Sequence, residues 1–341
     1  MAVAHAPQLT EVAPGIHAWV QPDGSWGWSN AGVVVQGGES LLVDTLFDRA
    51  LTARMLETMR ERIPETRRIG TVVNTHANGD HCWGNELVTD SRIIASRAAA
   101  DEMTHLPPSR VALLVKLARL ATATGPLPHL AAAALRTLGL TRLGDLLHAA
   151  PLVERIFAPF HFGGITLRVP DETFSGRLEL QVGGRAVELM EVGPAHTQGD
   201  VMVHVPDART VFTGDILFIE SHPIVWEGPI SNWIAALDRV LALQPRVVVP
   251  GHGPLTDVAG VQRVRDYLRH VHTEAVRRFH AGMDAETAAK DISLSDYRGW
   301  RDAERIAVNV ETVYRELQPG RRVPHVVEMF ARMARVARAV Q

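Results

Sequence analysis

The stretch "HANGDH" sets His76, Asp80 and His81 around Asn78 and Gly79, directly after the β-branched run "TVVNT". Imidazole and carboxylate groups are costly to bury unless something pairs with them, so a strand end this rich in them needs a reason. Metal ligation supplies one, because histidine and carboxylate are common ligands of divalent metals. Further candidates follow later apolar runs, each with glycine close by: His196 in "GPAHTQGD", Asp215 in "FTGD" and His252 in "PGHGP". Taken singly, such an aspartate reads as a cap or turn residue and such a histidine as a satisfied polar group. Together they point to a metal site on the rim of a sheet.

To converge, these residues need strands that end at a common edge. "IHAWV", "AGVVVQGGESLLVDT", "IGTVVNT" and "RIIAS" supply strands in the first hundred residues, with a helix from Leu51 to Ile63 between them. "GRLELQVGGRAVELMEVG" reads as a hairpin about its central "GG", and "DVMVHVPDARTVFTGD" as a second about "PDAR". The helix "SNWIAALDRVLAL" and the strand of "RVVVPGHGP" follow. Both halves run strands then helix, which predicts an α/β chain of two packed sheets flanked by helices. Between them, residues 98–150 read as a helical insertion with apolar residues on more than one face in "VALLVKLARLATA" and "HLAAAALRTLGL". It either packs on itself or forms a lid or a dimer face. After Thr256 the chain is almost all helix. "SDYRGWRDAERIAVNVETVYREL" reads as a capped helix that covers the sandwich with Ile306, Val310, Val313 and Leu317. The expected division is a catalytic domain over 1–258 and a helical extension over 259–341, packed on that core.

In motif order the chain resembles the metallo-β-lactamase superfamily, whose H-x-H-x-D-H pattern is followed by separate His, Asp and His positions. The resemblance covers roughly residues 10–258 apart from the insertion. It implies an αββα sandwich with the metals at one edge. It also makes His76, His196 and Asp215 ligands of one metal, and Asp80, His81, Asp215 and His252 ligands of the other, with Asp215 bridging. Asn78 stands where the family usually has histidine. A carboxamide oxygen is a weaker zinc ligand than imidazole, so the first position is expected to be the weaker. Three outcomes are open: Asn78 ligates through its oxygen, it hydrogen-bonds a metal-bound water or the substrate, or one metal is absent. Without Asn78, the first position keeps the two-histidine, one-carboxylate set of mononuclear Fe(II) oxygenases. Zinc, as one or two ions, is the expected cofactor and iron the alternative.

The resemblance further implies a hydrolase in which metal-bound hydroxide attacks an ester, thioester or lactone carbonyl. In that scheme Asp80 also orients the hydroxide and Asn78 donates its amide hydrogens to the oxyanion. The superfamily's β-lactamases resemble one another in lacking a bridging aspartate, and its flavodiiron members usually carry glutamate at the place of Asn78; both branches are disfavoured. An iron-dependent oxygenase or lyase is the competing reading. A non-catalytic binding protein is a third, against which the intact Asp80, His81, Asp215 and His252 argue. Trp26 and Trp28 in "QPDGSWGWSN" read as apolar walls of the substrate site or as hairpin packing. His222 and Trp226 in "FIESHPIVWEG" are further substrate contacts, and the extension with the insertion would line an apolar entrance for a hydrophobic acyl or polycyclic group. Cys82 reads as a small buried residue and His161 as a surface or turn histidine.

Composition narrows the partners. With 46% hydrophobic and 21% charged residues and a formal net charge of -3, the chain has no concentrated basic stripe, which disfavours nucleic acid. The apolar run Leu120–Leu135 is broken by "GPLP" and is too short to span a bilayer. The N-terminus lacks the basic and apolar pattern of a signal peptide, and the single cysteine cannot form an intramolecular disulfide. The reading is a cytoplasmic protein that acts on a small molecule, without a membrane partner, and with a homodimer left open by the apolar insertion.

Overall fold

Valine-rich runs with turn residues between them build two sheets. The computed structural model describes residues 6–21, 23–123 and 139–339, together with Ala132, Leu135 and Thr137. Its first sheet has seven strands in sequential order: β1 (Gln8–Ala13), β2 (Ile16–Val20), β3 (Ala31–Gln36), β4 (Glu39–Val43), β5 (Thr71–Val73), β6 (Arg92–Ser96) and β7 (Glu172–Phe174). From β1 to β4 the strands are antiparallel, and from β4 to β7 they are parallel. The parallel run brings the C-terminal ends of β4, β5 and β6 to one edge, where Asp44 follows β4 and His76 follows β5. Helix α1 (Arg49–Arg62), capped by Asp48, covers the outer face of this sheet with Met55, Leu56 and Met59. A single helical turn, α2 (Gly79–Cys82), carries Asp80 and His81 beneath the edge.

Among the described residues the insertion holds α3 (Arg97–Met103), α4 (Pro108–Thr122) and α5 (Thr141–Phe157). It runs seven residues past the expected end at residue 150. Most of "HLAAAALRTLGL" lies outside the described residues. The second sheet contains β8 (Arg177–Val182), β9 (Arg185–Glu191), β10 (Val201–Val205), β11 (Thr210–Phe212) and β12 (Val247–Val249), in the lateral order β12-β11-β10-β9-β8. Between the sheets, Val34, Val43, Val73 and Ile94 meet Leu189, Val203, Phe212 and Val249 in one buried layer. Trp233 and Leu237 of α6 (Ile230–Ala242) and Val264 and Leu268 of α7 (Val258–His280) join the core on the other side. The order of layers is αββα.

Three short helices close the chain: α8 (Ala285–Asp291), α9 (Ile306–Leu317) and α10 (Val326–Val336). The expected capped helix therefore begins at Ile306, not near Ser295. Gly299 (φ 94°) and Asp302 (φ 61°) are left-handed, which confines the preceding residues to short turns. The insertion does not pack only on itself. Helix α5 lies against both α4 and α10, with Phe157 and Phe330 in ring contact at 5.9 Å. Strands β1 and β7 escape a sequence reading because β1 is half exposed without alternation and β7 is only three residues long. No helix of the described residues is long and apolar enough to cross a membrane.

Candidate metal centre

Each histidine of the cluster is tied down by the ring nitrogen that faces away from the centre. Asp44, left-handed at φ 64°, accepts from the Thr75 amide and the Thr75 hydroxyl, both at 2.7 Å. The same carboxylate accepts from His81 Nδ1 at 2.9 Å. The Thr75 hydroxyl proton is engaged by Asp44, so its oxygen accepts from His76 Nδ1 at 3.0 Å. His196 Nδ1 donates to the Ile224 carbonyl at 2.8 Å, and His252 Nδ1 to that of Ser25 at 3.1 Å. Such outer partners fix ring orientation and turn each Nε2 toward the centre, where it can ligate.

Asp215 occupies the middle. Its Oδ2 is 3.7 Å from His76 Nε2 and 3.3 Å from His196 Nε2, while its Oδ1 is 3.0 Å from His81 Nε2 and 3.4 Å from His252 Nε2. Asp80 Oδ2 adds a carboxylate oxygen 3.3 Å from His252 Nε2 and 3.9 Å from His81 Nε2. The approach requires glycine at 251, where a Cβ would stand 2.1 Å from Asp215 Oδ1. Asn78 Nδ2 donates to His196 Nε2 at 2.8 Å.

This donor set fits a metal. His76 Nε2, His81 Nε2 and Asp215 Oδ1 are buried without a hydrogen-bond partner, an arrangement that costs stability unless a ligand completes it. Two sets of three donors, His76 with His81 and Asp215, and Asp80 with His81 and His252, have ligand atoms within 4.8 Å of one another. The electrostatics agree. Burial opposes charge on His81, but Asp215, Asp44 and Asp80 outweigh it and hold its pKa well above the usual imidazole value. His252 is pushed up to about 9 against burial by Asp215 and Asp80. Burial lowers His76 and His196 instead. The carboxylates thus require positive charge between them, which a divalent cation supplies in place of protons.

Above the cluster opens a cavity of about 300 Å³. Asn78, Asp80, His196, Asp215 and His252 contribute to its lining, and Trp26, Phe47, Trp83, Phe157, Trp226 and Phe330 are its aromatic walls. His76 and His81 lie behind them, almost fully buried. The structure therefore brings together all seven sequence-derived ligand candidates and two of the four proposed substrate contacts, Trp26 and Trp226. Trp28 instead packs on Phe160, with ring centroids 4.9 Å apart. His222 sits against Tyr267 and Trp300 at 5.1 and 5.7 Å and lines a different cavity. Left-handed Glu220 (φ 58°) turns the chain there, and Ser221 pairs with Arg301, which carries His222 away from the cluster. His161 is exposed, and Cys82 is buried with its thiol donating to the carbonyls of Ala77 and Asn78.

Sequence reading missed Asp44 and Thr75, which orient two histidines. It also missed Asp200, which accepts from the Thr197 amide and hydroxyl after His196 and is pushed up by burial to about 7. Asp44 carried the same signal as Asp215, an aspartate directly after an apolar strand in "LLVDT".

Residues 24–252 match the family model described as the metallo-beta-lactamase superfamily. Among curated proteins, the chain is 26% identical over 146 residues to a linear primary-alkylsulfatase of Pseudomonas sp., covering 39% of this chain and 27% of that protein. It is 28% identical over 138 residues to a hydroxyacylglutathione hydrolase of Brucella ovis, covering 40% and 47% respectively. The matches thus span less than half the length of these curated relatives. Among solved structures, a metallo-beta-lactamase from Pontibacter korlensis superposes with a TM-score of 0.53 at 17% identity, over 77% of this chain and 99% of that one. A stereoselective inverting sec-alkylsulfatase from Pseudomonas sp. gives 0.63 at 16% identity, over 94% and 52%. These structural likenesses are of fold.

Proposed function

The chain belongs to the metallo-beta-lactamase superfamily, and from that premise we propose that it is a metal-dependent hydrolase cleaving an ester-type bond in a substrate with a bulky apolar portion. The observation that carries this reading is a set of buried, unpartnered imidazole and carboxylate atoms at the base of an aromatic-walled cavity. The similarity to a linear primary-alkylsulfatase and to a hydroxyacylglutathione hydrolase supports a hydrolytic reaction.

His76, His196 and Asp215 on one side, and Asp80, His81, Asp215 and His252 on the other, would hold the metal, zinc in one or two ions. When bound, the metal supplies Lewis acidity and makes hydroxide available near neutral pH. The protein's own groups do the rest. Asp80, on the cavity lining, accepts a hydrogen bond from the attacking water and fixes its direction. Asn78 occupies the His196 Nε2 lone pair in this structure; once His196 ligates, both Asn78 amide hydrogens are released and can donate to the oxygen that gains charge in the tetrahedral state. Trp26, Trp226 and Phe330 exclude water and bind the apolar portion of the substrate.

Elemental analysis of protein purified without added metal or chelator, beside an aerobic and anaerobic screen of aryl and acyl esters, thioesters, lactones and alkyl sulfates, tests the reading. Zinc in the preparation with turnover indifferent to dioxygen is the expected result. Iron with turnover that stops without dioxygen would replace it with the oxygenase reading, built on His76, His196 and Asp215.

A further inference from the structure

From Met103 to Gly144 the chain has no aspartate or glutamate but carries Arg110, Lys116, Arg119, Arg136 and Arg142, within a protein whose formal net charge is -3. Helix α4 runs through this stretch and is amphipathic in an unusual sense. Val111, Val115 and Ala118 are buried, while Leu113, Leu117 and Leu120 are 56%, 43% and 70% exposed. At 3.6 residues per turn these leucines fall on one face opposite the buried one, with Arg110 on one flank and Lys116 on the other. Leu140 and Leu143, at the start of the helix packed against α4, are also exposed. Leu106, 52% exposed just before α4, lines the cavity above the metal cluster, so the apolar surface reaches the site entrance.

We propose that the leucine face of α4, flanked by Arg110 and Lys116, docks the protein on an anionic lipid surface beside the entrance of the metal cavity. Leucines in a strip between cations place acyl chains and anionic headgroups where each is matched. A second copy of the chain is the poorer occupant, because a two-fold contact would oppose cationic faces. The expectation of no membrane partner rested on the absence of a span, and this surface needs none. An apolar substrate would enter the cavity from the lipid past Leu106, which is both exposed and part of the cavity lining.

Flotation of the full chain with vesicles of phosphatidylcholine alone, and of equimolar phosphatidylcholine and phosphatidylglycerol, tests this. The wild type is expected to float with the mixed vesicles, about tenfold more weakly with the neutral ones, and to be released by salt. The pair Leu113→Asp and Leu117→Asp lowers binding by about tenfold or more, and the pair Arg110→Gln and Lys116→Gln by about tenfold. All four residues are exposed and none lines the cavity, so metal content and hydrolysis of a water-soluble ester stay at wild-type levels. That control separates failure of this inference from failure of the hydrolase reading. Wild-type protein that floats with neither vesicle overturns the proposal. So does a lipid-free dimer that the leucine pair dissociates, which assigns the face to a second copy.

Discussion

The carboxylates buried in the C-terminal helices and those buried at the sheet rim are treated in opposite ways. In the C-terminal helical layer, Glu311 is 2% exposed and is met by Arg321 at 2.7 Å and Arg332 at 2.6 Å, while Glu304 is met by Arg155. At the sheet rim, Asp44, Asp80, Asp200 and Asp215 are equally buried, yet none forms an ion pair with arginine or lysine among the described residues. Their partners are imidazoles, hydroxyls and backbone amides. A buried acid that a guanidinium already satisfies is structural. A buried acid left to titratable, unpartnered imidazoles is reserved for a cation that comes from outside. Imidazoles divide along the same line: those at the rim face carboxylates, whereas His222 faces the Arg305 guanidinium.

The contrast can be broken most severely at Asp215. Asp215→Ala removes an oxygen from both halves of the cluster, and metal retention measured by elemental analysis falls by more than the about 100-fold that losing an outer partner can cost. Asp44→Asn leaves every proposed ligand in place but frees His81 and, through Thr75, His76. A competition titration with a chromophoric chelator should show metal affinity lower by about 10- to 100-fold. In the helical layer the same type of change acts on stability alone. Glu311→Gln strands Arg321 and Arg332 and lowers the unfolding free energy by about 2 kcal/mol in urea titration, with metal content unchanged. Loss of metal in Glu311→Gln would mean that the two regions are not independent. The smallest effect concerns His222, which burial and then Arg305 push down to about 3. Its folded pKa lies below the unfolded value of about 6.5, so the unfolded chain binds more protons in between. Stability is complete above about pH 6.5 and declines as the pH falls toward 3. His222→Asn should flatten that limb of a plot of stability against pH.

The rim was legible because chemistry and spacing coincide locally: "HANGDH" compresses His76, Asp80 and His81 into one turn, and glycine flanks the other strand-end candidates. Strand and helix periodicity gave the two-sheet architecture for the same reason, since alternation and 3.6-residue repeats are local properties. What failed was non-local or depended on direction. Asp44 has the signature of a turn residue, and only the fold places it between Thr75 and His81. Trp26 and Trp28 are indistinguishable in a glycine-rich loop until the chain path shows one facing Phe330 and the other facing Phe160. His222 is only seven positions beyond Asp215, but one left-handed residue removes it from the site. Arg305, which stacks over Trp26 at 4.3 Å, lies beyond the matched family segment and is invisible to motif reasoning.

Asn30 joins the first sheet to the loop that bears His252. Its side chain accepts from the Gln21 amide at 3.0 Å and donates to the Pro250 and Gly253 carbonyls at 3.0 and 2.8 Å, across sequence separations of 220 and 223. A clasp of that span closes only after both sheets have formed and met, since the entropy of so long a loop must be offset by the contacts it encloses. The metal centre therefore depends on both sheets being joined, and a fragment that ends before His252 lacks one of its proposed ligands. Metal captured by the finished site stabilises the native state alone by mass action, so ion uptake during refolding works as a clock for the last step of assembly.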